Sequence, residues 1–219
     1  PGQGAPVKRR IYLVSHNPGK LREVQDILAP FSIEVHNLYE FYPLSEIEET
    51  GENYAQNALL KARRGFELSG EICVGEDSGL EIDALQGAPG IHSARFGGKN
   101  LPFPEKMAEI LKRLEGVPTE KRSARFVCVV ALVFPGGEKL FEGVCNGWIA
   151  HQPEGNQGFG YDPIFVFPPF GKTFAQLGPA VKNRYSHRAQ AFRKCAEFLV
   201  RKFSFPAFEG APAKPPDRY

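Results

Sequence analysis

Residues 125–150 read "RFVCVVALVFPGGEKLFEGVCNGWIA", and this stretch decides the fold. The segment 125–134 is an almost unbroken apolar run. Its β-branched and aromatic residues select a strand rather than a stretch of buried helix. Gly136-Gly137 is a hairpin signal, and 138–150 returns as the partner, ending near Trp148. An antiparallel hairpin this late in the chain excludes a purely parallel sheet.

The segments upstream supply the parallel half. Ile11 to Val14 is a short apolar run, read as a buried strand. "SHNPGK" follows, with Asn17 suited to an N-cap and Pro18 to the first helical position. Leu21, Val24 and Leu28 recur at helical spacing, and Pro30 ends the helix. A second strand is expected from Ile33 to Leu38. Residues 50–69 predict a helix capped by Thr50, with Ala55, Ala58, Leu59, Ala62 and Phe66 on its apolar face. Ser69-Gly70 stops it. Ile72-Cys73-Val74 starts a strand that is expected to end at Glu76-Asp77, at the mouth of a glycine-rich turn. Met107, Ile110, Leu111 and Leu114 mark a third helix. "PIFVFP" is a short strand, and Ser186 caps a last helix. Helices alternate with strands around one hairpin, so the expectation is an α/β fold with a mixed sheet. Residues 1–10 read as a disordered lead-in, 11–202 as a single catalytic domain and 203–219 as a loose proline-rich tail.

Composition narrows the function. A net charge of +2 over 219 residues argues against a nucleic-acid partner. No apolar run approaches the roughly 18 residues of a membrane span. Cys73, Cys128, Cys145 and Cys195 are far apart and form no CxxC pair. They read as buried free thiols in a reducing cytoplasm rather than as zinc ligands.

Five stretches could carry chemistry. "SHNPGK" (15–20) leads a strand into a helix N-terminus, where free N–H groups, the helix dipole and Lys20 favour an anion. It is not a Walker motif, since Val14 and Leu21 stand where glycine and Ser or Thr are needed. "EIEETGENYAQNALLKA" (46–62) puts Glu48 and Glu49 before a helix, with Asn57 and Lys61 one turn apart. "GEDSGLEIDALQGAPGIHSARFGG" (75–98) adds Glu76 and Asp77, and the four acids form a candidate set for a hard cation such as Mg²⁺. "GNQGFGYDPIF" (155–165) presents Phe159 and Tyr161 on a glycine loop, suited to stacking on a planar base. "KNRYSHRAQAF" (182–192) gathers Lys182, Arg184, His187 and Arg188 at a helix start. Each stretch also has an ordinary reading, as a capped helix, a charged turn or a solvated face. Together they match a nucleoside triphosphate bound with Mg²⁺.

In this order and combination the blocks resemble the inosine triphosphate pyrophosphatase family, whose bacterial members are XTP/dITP diphosphatases. The resemblance runs from about Ile11 to Leu199. It implies an elongated two-lobed α/β fold around a long mixed sheet, with the active-site cleft between the lobes. It also implies hydrolysis of ITP, dITP and XTP to the monophosphate and pyrophosphate, with Mg²⁺ (or Mn²⁺ in its place), in a cytoplasmic homodimer. By position, Ser15, His16, Asn17, Pro18, Gly19 and Lys20 would hold the triphosphate. Glu48 and Asp77 would bind the metal, with Asp77 also the general base and Lys20 assisting catalysis. Ser78 would touch the substrate. Phe159, Gly160, Tyr161 and Asp162 would hold the base, and Lys182, His187 and Arg188 would complete the site. Bacterial members usually read D-D-S-G-L, and here Glu76 takes the first place; whether it reaches the metal is open at this level. The rival readings are a catalytically silent nucleotide-binding sensor and a general metal-dependent phosphatase.

Overall fold

The computed structural model describes residues 9–203. The proposed lead-in up to residue 8 and the tail from residue 204 lie outside the described residues. Strand β1 (Arg9–Leu13) starts inside the segment assigned to the lead-in, and the last helix, α6 (His187–Phe203), includes the first residue assigned to the tail.

Asn17 caps α1 (Pro18–Leu28) as its sequence predicts. Strand β2 (Ile33–Asn37) follows. Helix α2 (Tyr54–Ser69) starts later than expected, because its cap is Asn53 and not Thr50. Asn53 Oδ1 accepts from Gln56 N at 2.8 Å. The side chains of Gln56 and Asn57 reach back and accept from Glu52 N and Gly51 N just before the helix. Gly70 ends α2 in the left-handed region at φ +68°, as expected for a C-terminal glycine.

Strand β3 (Cys73–Ile82) does not stop at Glu76-Asp77 but runs straight through them. Gly75 and Gly79 are strand residues that permit close approach. A Cβ on Gly75 would stand 2.2 Å from the Ala58 carbonyl of α2, and one on Gly79 would stand 2.2 Å from the Gly90 carbonyl. Gly75→Ala is therefore expected to cost about 1–3 kcal/mol through overpacking. A chemical denaturation curve with unchanged midpoint would contradict this.

Helix α3 (Phe103–Arg113), β4 (Ser123–Phe134) and β5 (Gly137–Ile149) come next. The β4–β5 hairpin turns through Pro135-Gly136, with Gly136 at φ +91°. Short elements complete the chain: β6 (Phe165–Phe167), β7 (Lys172–Thr173), α4 (Phe174–Leu177) and α5 (Pro179–Tyr185). The sheet order is β2-β1-β3-β4-β5-β6-β7. β1 is parallel to β2 and β3, and every later pair is antiparallel, which makes the mixed sheet.

The run 126–134 is unbroken because both faces of β4 are covered. On one face Cys128, Val130 and Leu132 join Val24 and Ile27 of α1 and Phe192, Cys195 and Leu199 of α6. On the other, Val129, Ala131 and Val133 meet Ala58 and Ala62 of α2. Farther along β3–β5 a second core forms from Leu80, Phe126, Cys145 and Phe165 with Met107 and Ile110 of α3. The long strands thus pass through more than one core, and the cleft is lined both by Ser15–Asn17 and Lys20 at the start of α1 and by Leu80, Phe103 and Phe126 of the second core.

Candidate active site

Residues that follow one another in a strand point to opposite faces of the sheet, and β3 applies this to Glu76 and Asp77. Glu76 faces α1 and α6. Its Oε1 meets Lys20 Nζ at 2.6 Å, and its Oε2 accepts from Cys128 Sγ at 3.1 Å and lies 3.5 Å from Arg188. Asp77 faces α2, where Asn57 Nδ2 donates to its Oδ2 at 3.0 Å, while Ser78 N donates to Oδ1 at 3.0 Å. The two carboxylates do not confront each other, so no cation has to separate them. Glu76 is compensated by side chains: burial alone would raise its pKa, but Arg188, Lys20 and Lys61 outweigh that and hold it well below the usual carboxylate range.

Asp77 is different. It is 4% exposed. Burial first, then the nearby Glu49 charge, push its pKa up to about 6, against the pull of Lys61, Lys20 and Asn57. A carboxylate poised near neutrality is suited to take a proton from water. Lys61 Nζ bridges Glu49 Oε1 at 2.5 Å and the Glu76 carbonyl at 2.6 Å. Glu48, the expected partner of Asp77, is exposed and lines the cleft, whereas the charge that reaches Asp77 is that of Glu49. Among the described residues no three His, Cys, Asp or Glu side chains converge as a ready metal cage. The expected cluster of four acids is not gathered: Glu48 and Glu49 line the cleft, Asp77 lies buried within reach of the Glu49 charge, and Glu76 faces the other side of the sheet. Crowded negative charge on hard oxygens fits Mg²⁺, which takes one or two carboxylates and fills its other positions with water and phosphate.

The N-terminus of α1 is not the open anion site its sequence suggested. Asn17 Oδ1 already accepts from Gly19 N at 2.9 Å and Lys20 N at 3.2 Å, and Pro18 has no N–H. Gly19 lies under the Phe159 ring, where a Cβ would come within 2.6 Å. Pro18 and Gly19 therefore do not line the cleft, while Ser15, His16, Asn17 and Lys20 do. His16 stacks on Tyr39 with ring centroids 3.6 Å apart.

At the other end, Phe159 is half-buried and Lys182 Nζ lies 4.4 Å from its ring centroid. Asp162 is buried and acts as a clamp, its Oδ2 accepting from Phe159 N at 3.0 Å and Lys182 Nζ at 2.7 Å. Tyr161 packs inward against Phe103, and its hydroxyl donates to the Ser93 carbonyl at 2.7 Å. Of the two loop aromatics, Tyr161 shapes the wall, and Phe159 lies against Gly19 with Lys182 near its ring. Glu23 of α1, a residue sequence reasoning missed, joins Lys182 at 2.5 Å and Arg188 at 2.7 Å. Arg188 also donates to Ser78 Oγ at 3.0 Å. His187 stacks on Phe126 at 4.6 Å, and its buried Nδ1 has no hydrogen-bond partner among the described residues. Burial, then Arg188 and Lys182, hold its pKa well below the usual value, so the ring is neutral.

The cleft that gathers these side chains has a volume of about 700 Å³. Structure adds Glu23 to the expected set and gives Glu49, Asn57 and Lys61 specific partners. The sequence showed Glu49 among the candidate acids and Asn57 and Lys61 one turn apart, but nothing that singled out Glu23. Fold and cleft together define an α/β protein with the equipment for phosphoanhydride chemistry: a raised carboxylate, a row of cations and an aromatic shelf.

The particular family follows from comparison. The chain belongs to the Ham1 family, whose model matches residues 11–198. It is 43% identical over 195 residues to a dITP/XTP pyrophosphatase of Desulforamulus reducens, covering 89% of this chain and 97% of the relative. It is 40% identical to the Bacillus subtilis dITP/XTP pyrophosphatase over 194 residues, covering 88% and 98%. A HAM1 protein from Coxiella burnetii superposes with a TM-score of 0.79 at 40% identity, covering 88% of this chain and 99% of that one.

Proposed function

We propose that this chain hydrolyses non-standard purine nucleoside triphosphates, ITP, dITP and XTP, to the monophosphate and pyrophosphate. The observation that carries the reading is Asp77, a buried carboxylate raised to about 6 beside the nucleotide-sized cleft. Relatives at 40–43% identity named dITP/XTP pyrophosphatases support the substrate class.

In this reading Asp77 takes a proton from water as its oxygen attacks the α-phosphorus. The bond from that phosphorus to the bridging oxygen breaks, and pyrophosphate leaves with the electron pair. General-base help of this kind contributes about 10²–10⁴-fold. Glu48 and Asp77 would hold Mg²⁺, or Mn²⁺ in its place, and the ion would offset charge on the phosphate oxygens. Lys20 stays charged, since Glu76 outweighs the effect of burial, and faces the triphosphate beside Ser15 and Asn17. Phe159 stacks on the base. Neutral His187 can offer Nδ1–H to a 6-keto oxygen, and in that tautomer a 6-amino group would leave the donor unpaired, at about 1–3 kcal/mol. Arg188 is tied to Glu23, Glu76 and Ser78.

The same reading extends to a homodimer in the cytoplasm. Four buried free cysteines support a reducing compartment, and among the described residues no helix is long and apolar enough to cross a membrane. A nucleotide panel read by pyrophosphate release tests the proposal. ITP, dITP and XTP should turn over with Mg²⁺ far faster than ATP or GTP, and chelation should stop them. Orthophosphate as the product, or equal turnover of ATP, would overturn it.

A further inference from the structure

Six lysines and arginines line the cleft: Lys20, Lys61, Arg95, Lys99, Lys182 and Arg188. Four of them are held by carboxylates, and Lys99 faces one across an exposed pair. Lys20 holds Glu76 at 2.6 Å, Lys61 holds Glu49 at 2.5 Å and Lys99 meets Glu46 at 3.5 Å. Lys182 holds Glu23 and Asp162, and Arg188 holds Glu23. Arg95 alone has no carboxylate partner among the described residues. Among the described residues its guanidinium makes one hydrogen bond, from NH2 to the Glu49 carbonyl at 3.3 Å. A guanidinium has five N–H donors in a fixed fork, so most of this one is uncommitted.

The turn that presents Arg95 is fixed on three sides. It spans Gly90–Arg95. Ser93 Oγ accepts from Leu80 N of β3 at 2.9 Å and donates to the Gly90 carbonyl at 2.6 Å. Tyr161 holds the Ser93 carbonyl from the base loop. Lys106 of α3, 1% exposed, donates to the Ala94 carbonyl at 2.5 Å. A buried ammonium held by a carbonyl is a costly arrangement, and here it anchors the residue just before Arg95. The contact with the Glu49 carbonyl places Arg95 beside the acidic segment that carries Glu48 and Glu49 in the cleft wall.

We infer that Arg95 is a further substrate-contacting residue, whose guanidinium takes the phosphates that depart as pyrophosphate. The inference rests on the pyrophosphatase reading above. A polyanion entering the cleft meets cations already neutralised by Glu23, Glu49, Glu76 and Asp162. Arg95 brings uncommitted positive charge and a fork that matches phosphate oxygens.

Arg95→Ala and Arg95→Lys, with the wild type, provide the test. Three quantities are measured: KM for ITP, inhibition by inorganic pyrophosphate and inhibition by IMP. For Arg95→Ala we expect KM and the pyrophosphate inhibition constant to rise together by about tenfold or more, the range for a hydrogen bond to a charged group. IMP inhibition and the thermal midpoint should stay unchanged, and Arg95→Lys should fall between. Unchanged KM and pyrophosphate inhibition would overturn the inference, as would equal weakening of IMP, which would move Arg95 to the nucleoside end. A wild-type chain inert towards ITP would instead sink the pyrophosphatase reading. Calorimetric binding of inorganic pyrophosphate to wild type and Arg95→Ala would then decide Arg95 separately, with equal affinities counting against it.

Discussion

Asp77→Asn should abolish measurable ITP turnover while making the protein no less stable. The variant keeps the side-chain shape and a single acceptor oxygen, as the protonated carboxyl does, so it retains one of the two bonds from Asn57 Nδ2 and Ser78 N, and it cannot accept a proton from water. A loss of about 10²–10⁴-fold in kcat is expected from the missing base alone. Stability moves the other way. The folded pKa of about 6 lies above the ordinary value of 3.8, so folding opposes ionisation of this carboxyl. Below the unfolded pKa the group is neutral in both states and carries no penalty. As pH rises through the folded pKa the penalty reaches its full size, on the order of 3 kcal/mol, because each tenfold weakening of the acid corresponds to about 1.4 kcal/mol. In metal-free protein Asn should therefore match the wild type near pH 4 and exceed it above pH 7. Denaturation curves at both pH values, with a pyrophosphate assay at the higher, check the two halves. Activity within a few-fold of wild type would place the base elsewhere. A variant less stable at pH 7 would show that Asp77 is not strained by its charge.

Why the site holds a strained and a satisfied carboxylate side by side is a matter of strand parity, which the sequence concealed. Four glycines between 75 and 90 resemble turn punctuation. Gly75 and Gly79 are instead places where α2 and the Gly90 turn press against β3. Adjacent acids that read as a turn are therefore acids on opposite faces of a strand. The mixed sheet was legible because the hairpin strands carry a strong local signal, and α1 was legible because its cap lies within three residues of its first turn. Glu23 was not: on the helix alone it is a polar residue one turn beyond Lys20. It becomes buried only when α5 and α6 bring Lys182 and Arg188 against it. Asn57 and Lys61 showed their spacing, but their targets on β3 come from tertiary packing. The capped N-terminus of α1 was misjudged for a related reason. The same Asn17 that announces the helix also satisfies the N–H groups that would otherwise bind an anion.

The satisfied carboxylate gives the largest expected change in stability. Glu76 is 1% exposed and stands among Lys20, Arg188 and Cys128. Glu76→Ala would leave Lys20 without its ion-pair partner, and Arg188 with Glu23 alone. Breaking a buried pair from one side costs about 3–5 kcal/mol, enough to unfold a marginal domain. Glu76→Gln keeps the volume and some hydrogen bonds, so it should fall between alanine and wild type. The pH dependence runs opposite to that of Asp77. The folded pKa of Glu76 is depressed below the ordinary 4.5, so its stabilisation is present in full above the unfolded value and is lost as pH falls through the folded one. The wild type should thus lose its advantage over Glu76→Gln in acid and keep it at pH 7. Lys20, which Glu76 orients, also lines the cleft beside Ser15 and Asn17, so the glutamine variant should show a raised KM for ITP with Asp77 chemistry intact. Equal stability of wild type and both variants at neutral pH would mean that Lys20 and Arg188 do not depend on Glu76. The cation row of the cleft would then be held by Glu23 and Asp162, at the base end alone.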